Sequence, residues 1–311
     1  MEYHLPVLLN ESIEGLNIHP EGVYVDVTFG GGGHSRAIMD RLDGRGRLLA
    51  FDQDADALQN AIDDPRFTLI HENFRYMKSF LRFAGVRKVD GILADLGVSS
   101  HQFDEAQRGF STRLEGALDL RMDRRQELSA REVVNRYDEE ELRRVLALYG
   151  ELPNAGSMAR AICSARAEKA IETTFDLKNA VQRHLPRQQE NKFLAMLFQA
   201  LRIEVNGELE ALRSMLEQAC EILVPNGRLV VISYHSLEDR LVKNFMRSGN
   251  FEGIIEKDFF GNSLSAIRPV VRKAITPSND ELQRNNRSRS AKLRIAERVS
   301  GASDNSTTVT K

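Results

Sequence analysis

The chain has 311 residues, 41% of them hydrophobic and 28% charged, with 21 Gly, 8 Pro and a mean hydropathy of -0.38. This composition excludes a collagen-like or largely disordered polymer, and the length gives room for one large or two ordinary domains with a sizeable core. A net charge of -2 argues against a nucleic-acid partner only if the charge is evenly spread.

Cys163 and Cys220 lie far apart with no CxxC spacing, so neither a disulfide framework nor a zinc knuckle is expected. The opening MEYHLPVLLNES lacks a basic region followed by a long apolar stretch, and no run approaches the roughly 18 apolar residues that span a bilayer. A cytoplasmic protein without a membrane partner is the expectation.

Val23 to Val27, Arg47 to Phe51, Phe67 to Ile70 and Val89 to Ala94 are short apolar runs, with helical segments between the first three. They predict an α/β fold with a mostly parallel sheet, whose ligands bind beyond the carboxyl ends of the strands. After Phe103 the pattern turns helical. Ser129 with Glu132 and Asp138 with Glu141 have capping-box spacing. Apolar stripes follow at Leu142, Val145, Leu146 and Tyr149, at Met158, Ala161, Ile162 and Ala165, and at Phe193, Met196, Leu197, Ala200 and Leu201. The α/β pattern resumes with the helix Leu209 to Leu223, a turn at Pro225-Asn226-Gly227 and a buried strand Arg228 to Ser233. A further strand pair is expected at Phe251 to Asp258 and Ala291 to Ala296. The division is therefore 1-104 and 207-299 for the sheet domain, 105-206 for a helical insertion, and 300-311 for a disordered tail.

VDVTFGGGGHS, behind the first strand, is the most informative stretch. Consecutive glycines allow positive φ and close approach of a ligand, because no Cβ intervenes. A P-loop would end in Gly-Lys-Ser/Thr, whereas Gly33 is followed by His34-Ser35; a dinucleotide fingerprint starting at Gly30 and Gly32 would place its third glycine at Ser35. Asp26 would repel a pyrophosphate and attract an ammonium or sulfonium, so the loop suits a cationic nucleoside better than NAD. Asp52, about 20 residues on by the usual spacing, suits the ribose hydroxyls, with Asp54 as a helix cap. Phe74 either covers an adenine face or belongs to the core.

The blocks HLPVLLNES, VDVTFGGGGHS, GILADLGVSSHQFD, RGFS, DLRMD, FQALRIEVNGELE, SYHSLEDR and RSRSAKLR, in this order as far as about residue 298, closely resemble the MraW family of bacterial ribosomal small-subunit RNA methyltransferases H. The resemblance implies a class I S-adenosylmethionine-dependent methyltransferase with a helical insertion. It also implies methylation of N4 of a cytidine in the decoding region of 16S ribosomal RNA, within the small ribosomal subunit. Family cofactor contacts fall on Gly32, Gly33, His34, Asp52, Phe74, Asp95 and Gln102; Gly30 joins them from the loop itself.

Cytosine N4 is a weak nucleophile, and an acceptor for its N–H helps localise the lone pair. Asp95, ending the fourth strand, is one candidate for that acceptor; its other reading is a cofactor contact, since Asp95-Leu96-Gly97-Val98 lacks the prolines and ring found in DNA amino-methylases. His235 is a second catalytic candidate and Tyr234 a base-stacking one, whereas Ser236 with Asp239 has the spacing of a capping box. No metal site is expected: the seven His are dispersed. Arg108, Arg113, Arg121, Arg124 and Arg125 are phosphate candidates, with pairing to Asp119 and Asp123 as the default for Arg121 and Arg124. The stronger nucleic-acid signal is Arg284, Arg287, Arg289, Lys292 and Arg294, although Asn286 stands where the family often has proline. Charge is indeed uneven: residues 268-298 carry +6, residues 105-206 carry +1, and the rest -9. A restricted basic patch is where RNA has to touch. Competing classes are a methyltransferase for another amine, an NAD-dependent oxidoreductase, disfavoured by Asp26 and Ser35, and a non-catalytic ligand-sensing RNA-binding protein.

Overall fold

The computed structural model describes residues 6–300; the expected disordered tail beyond Ser300, and His4 and Leu5 of the first motif, lie outside the described residues. The chain forms two compact units, Met1–Gly97 with Glu210–Lys311, and Val98–Leu209. Both boundaries lie a few residues outside the 104/105 and 206/207 divisions expected from sequence.

The first unit is built on seven strands: β1 (Val23–Asp26), β2 (Arg47–Phe51), β3 (Phe67–Ile70), β4 (Val89–Asp95), β5 (Leu223–Ser233), β6 (Ile267–Pro269) and β7 (Lys292–Arg298). Their order across the sheet is β3-β2-β1-β4-β5-β7-β6, with β1 to β5 mutually parallel and β7 antiparallel to both neighbours. This is a class I α/β methyltransferase architecture. Strands covered on both faces read as continuous apolar runs; accordingly Leu48 to Phe51, Ile92 to Ala94 and Leu229 to Ile232 are fully buried. The strand order reverses between β1 and β4, which opens a crevice at their carboxyl ends.

Two sequence expectations need correction here. The segment Phe251 to Asp258 is not a strand, because Asn250 Oδ1 accepts from the N–H groups of Gly253 and Ile254 and Gly253 takes φ 75°. The partners of β7 are β5 and β6 instead. In addition, β5 runs back through Pro225-Asn226-Gly227 to Leu223, with Asn226 left-handed at φ 64° and a register shift opposite Val89 and Gly91.

The second unit is helical; among its described residues the sole β pairing is the isolated bridge Ala117↔Thr173. Capping boxes open helices Ala130–Arg136 (Ser129 with Glu132) and Glu139–Leu148 (Asp138 with Glu141), and a third, Thr173 with Asp176, opens Thr174–Val181. Leu142, Val145, Leu146, Met158, Ile162, Leu197 and Leu201 meet in one core. On Ala155–Glu168 the buried face is Ala155, Met158, Ala159 and Ile162, so Ala161 and Ala165 lie beside the stripe. No helix among the described residues is long and apolar enough to cross a membrane.

Candidate active site

The glycine loop is shaped by the protein around it. Gly30 and Gly32 take φ 50° and 76°. A Cβ on Gly32 would fall 2.9 Å from the Phe29 ring, and one on Gly33 2.2 Å from Cγ of Pro6. These positions are therefore glycine because protein atoms occupy the space. At Gly30 a Cβ would meet nothing within 4 Å. The Gly30 backbone is nonetheless fixed: its N–H donates to Asp52 Oδ2 at 2.7 Å, and its carbonyl accepts from Asn60 Nδ2 at 3.1 Å. Arg36 donates to the carbonyls of Gly31 and Asn60, at 2.6 and 2.9 Å. Arg36 and Asn60 escape sequence reading, since an Arg on a helix and an Asn ending one carry no motif.

Asp52 stands just beyond β2. Its Oδ1 accepts from Asp54 N at 2.8 Å, and burial pushes its carboxyl up to about 6 against the opposing effect of its two N–H donors. Each oxygen retains a lone pair for a further donor such as a hydroxyl. Asp54 caps the short 3₁₀ helix Ala55–Asn60 through Asp56 N, as expected. Phe74 begins a 3₁₀ turn after β3 and is half-buried. The preceding Asn73 donates to Gln53 Oε1 at 2.7 Å, so the loops after β2 and β3 are tied together beside Asp52.

Asp26 ends β1 and is 1% exposed. It accepts from Ser35 Oγ at 2.7 Å and Thr28 N at 3.1 Å, and burial raises its pKa. Its hydrogen-bonding capacity serves the loop, leaving only its charge to act on a ligand. Thr28 Oγ1 accepts from the backbone N–H of Asp95 at 2.7 Å, joining β1 to the end of β4.

The Asp95 carboxylate is the centre of the site. Its Oδ1 accepts from the Tyr234 hydroxyl at 2.7 Å, and its Oδ2 lies 3.8 Å from His34 Nδ1. His34 Nε2 lies 3.1 Å from the Val7 carbonyl, which can only accept, so Nε2 carries a proton and Nδ1 faces Asp95. About a quarter of the Asp95 side chain is exposed (24%), yet burial of the carboxyl dominates and pushes it up to about 6; His34 and the Tyr234 bond pull the other way. Burial and the adjacent Asp95 charge hold the Tyr234 phenol well above its ordinary value. Gly97, at φ 100°, passes beneath the Tyr234 ring.

Tyr234 is thus a donor to Asp95, where sequence offered a base-stacking ring. His235 is likewise reassigned. It is the N-cap of helix Ser236–Ser248, in a reciprocal box with Glu238 one residue earlier than the Ser236/Asp239 box expected from spacing. Glu238 is 2% exposed and its Oε2 accepts from Tyr234 N at 2.9 Å. Its Oε1 lies 3.1 Å from His235 Nε2, close enough for attraction but misaligned for a hydrogen bond. Asp239 instead pairs with Arg294 and Lys292, at 2.7 and 3.0 Å, which offsets part of their charge within the fold. Arg284, Arg287 and Arg289 remain exposed. The 3₁₀ helix Asn286–Ser290 leads into Lys292, which pairs with Ser233 at the carboxyl end of β5. Arg287 and Arg289 therefore sit at the same edge of the sheet as Asp95 and Tyr234.

An unforeseen strap completes this unit's site: Leu8 N donates to Glu281 Oε1 at 2.8 Å, holding Pro6 to Leu8 against Gly33 and His34. Gln102 belongs to the other unit. It is buried and its side chain closes a capping box with Ser99. Arg108, in that unit, is fully buried and donates to the carbonyls of Arg121 and Met122, so it is no phosphate ligand. Arg121 pairs with Asp119 and Arg125 with Asp123; Arg113 and Arg124 are exposed.

Solved structures resemble the chain remotely. A putative rRNA-methylase from Clostridium thermocellum aligns with a TM-score of 0.42 and 14% identity over 96% of this chain and all (100%) of that one. A putative methyltransferase from Streptococcus mutans in complex with SAH aligns at 0.44 and 12%, over 95% and 99%. Sequence similarity is far closer. The ribosomal RNA small subunit methyltransferase H of Flavobacterium johnsoniae is 58% identical over 299 residues, 96% of this chain and 99% of its own. That of Bacteroides thetaiotaomicron is 56% identical over 298 residues, 96% and 98%. A model of the MraW methylase family matches residues 1–299, with the glycine loop, Asp95 and Tyr234 all inside the match, and the chain belongs to that family.

Proposed function

We propose that this protein transfers a methyl group from S-adenosylmethionine to N4 of a cytidine in the decoding region of 16S ribosomal RNA, within the small ribosomal subunit. The observation that carries the reading is the Asp95 carboxylate, held at the end of β4 by Tyr234 beside a preorganised glycine loop.

The loop fits a nucleoside cofactor. Open space at the Gly30 Cβ position admits close approach, and the bonds to Asp52, Asn60 and Arg36 fix the loop beforehand. Gly30, Gly32, Gly33 and His34 form one wall, Asp52 accepts from ribose hydroxyls, and Phe74 covers the base. When bound, S-adenosylmethionine supplies an electrophilic methyl on a sulfonium. Buried Asp26 and Asp95 favour that cation over a pyrophosphate.

Asp95, ionised, accepts an N–H of the exocyclic amine, localises its lone pair and stabilises the charge that develops on nitrogen. Tyr234 holds Oδ1, so the remaining lone pairs of the carboxylate serve the amine. Arg287 and Arg289 bind backbone phosphates at the same edge, where a nucleotide taken out of its stack has to enter. The MraW family match and the names of the relatives support ribosomal RNA as the substrate class.

Purified protein given labelled S-adenosylmethionine and small subunits, free 16S RNA, DNA or protein provides the test. Label appearing in N4-methylcytidine of the subunit supports the reading; label in a protein amine or a DNA base instead overturns it.

A further inference from the structure

The segment 251-266 projects from the sheet domain as a short ribbon whose aromatic residues have opposite fates. Phe251, at the foot, stacks on Phe245 with ring centroids 5.1 Å apart and lies under the Arg213 guanidinium at 4.4 Å. Phe259 and Phe260, at the tip, are 98% and 84% exposed, with only each other as ring partners at 5.6 Å. Ile254 and Leu264 along the ribbon are also exposed.

The tip is nevertheless a defined turn. Asp258 Oδ1 accepts from the N–H groups of Phe260 and Asn262 at 2.9 and 2.8 Å, and its Oδ2 from Asn262 Nδ2 at 3.0 Å. Backbone bonds Asp258 N to Asn262 O and Leu264 N to Glu256 O close the ribbon. A turn so specified presents two large apolar rings to water, which forgoes the stabilisation that burial gives them. Adjacent exposed aromatics of this kind mark interaction surfaces.

Charge selects the partner. The ribbon carries Glu252, Glu256 and Asp258 against Lys257, a net of -2. Arg247, at the foot, donates to the Gly253 carbonyl. Phosphates are repelled by such a surface, and a cationic protein surface is attracted.

Location separates the ribbon from the chemistry. It ends at β6, where Ile267 pairs with Arg298, next to the pair Arg228↔Glu297 at the amino end of this stretch of β5. Tyr234 lies beyond the other end, about 20 Å away along the strand by its rise per residue.

We propose that Phe259 and Phe260 dock into an apolar pocket on a basic protein of the small ribosomal subunit, while the opposite edge of the sheet handles the RNA. The proposal rests on the reading of the subunit as substrate.

The test places the photoreactive p-benzoylphenylalanine at position 259 of the full chain, with purified small subunits, and identifies what is attached on irradiation. Attachment to a ribosomal protein is expected; attachment to rRNA or to a second copy of this chain overturns the proposal. In parallel, Phe259→Ala/Phe260→Ala is expected to raise KM for subunits about tenfold or more, with kcat and S-adenosylhomocysteine affinity unchanged. Glu256→Lys keeps the rings and is expected to raise KM as well, whereas a fall in KM would indicate RNA. Unchanged KM in the double variant, with wild-type turnover intact, overturns the ribbon proposal alone. Absence of wild-type turnover on subunits overturns the functional reading beneath it, and the proposal with it.

Discussion

The hydroxyl of Tyr234 donates to Oδ1 of Asp95 at 2.7 Å, joining the first residue after β5 to the last residue of β4. The bond crosses between neighbouring parallel strands and fixes the rotation of the carboxylate that we propose receives the amine. Gly97 lies against the ring with a positive φ of 100°, and Glu238 holds the Tyr234 backbone from the other side. Tyr234→Phe leaves Asp95 in place but unsupported. We expect kcat to fall about tenfold, the loss of one charge-assisted hydrogen bond, with S-adenosylhomocysteine affinity within about twofold. Asp95→Asn should cost about a hundredfold or more in kcat, in the range of a lost acid–base group. Single-turnover rates with saturating subunits separate the two variants.

The proposed role of Asp95 also predicts a pH dependence. With its carboxyl pushed up to about 6, kcat is expected to rise with pH through that region and level off above it. Tyr234 lowers this value, so Tyr234→Phe should move the acid limb to higher pH; a limb that stays in place would contradict the assignment.

Stability has the opposite trend. Asp52 and Asp95 both have folded-state values near 6, above the ordinary 3.8. The stabilising contribution of their protonated forms is fully present below about 3.8 and is lost as pH rises through about 6. Relative to wild type, the Tm of ligand-free Asp52→Asn should therefore increase from pH 4.5 to pH 7.5. The same variant should bind S-adenosylhomocysteine about tenfold or more weakly at pH 7.5 by calorimetry, because an Asn cannot accept from Gly30, Asp54 and two hydroxyls together.

His235 provides a control. As the N-cap of helix Ser236–Ser248 it is replaceable by a good capping residue. His235→Asn is expected to keep turnover within about threefold, and His235→Ala to lose about 1 kcal/mol of stability in chemical denaturation. A hundredfold drop in kcat for His235→Asn would restore His235 to the chemistry.

At the basic edge, Arg287→Glu/Arg289→Glu should raise KM for subunits about tenfold and reduce the slope of log KM against log salt by about one per residue, leaving cofactor binding intact. Lys292 and Arg294 variants should instead destabilise the fold, since both hold Asp239.

The five parallel strands, the helical insertion and the glycine loop were legible in sequence because each rests on local signals: apolar runs, capping spacing and glycines. Asp52 and Asp95 were legible as strand-end acids. What escaped depends on contacts distant in the chain. Tyr234 meets Asp95 from 139 residues away, and Glu281 meets Leu8 from 273. The cap at His235 was missed because its box uses an imidazole nitrogen where a hydroxyl one residue later had the familiar spacing. Arg108 misled because a lone Arg has no visible burial, yet two carbonyls satisfy it in the interior. The charge of residues 268–298 was real, but ion pairs with Glu297 and Asp239 engage Arg268, Lys292 and Arg294, while Arg272, Lys273, Arg284, Arg287 and Arg289 are exposed.

The most direct measurement of the central claim is nucleoside mass spectrometry of 16S RNA from cells with the gene, without it, and without it but supplied with the Asp95→Asn variant. N4-methylated cytidine in the decoding region should be present in the first and absent from the other two. Its persistence in cells lacking the gene would contradict the account.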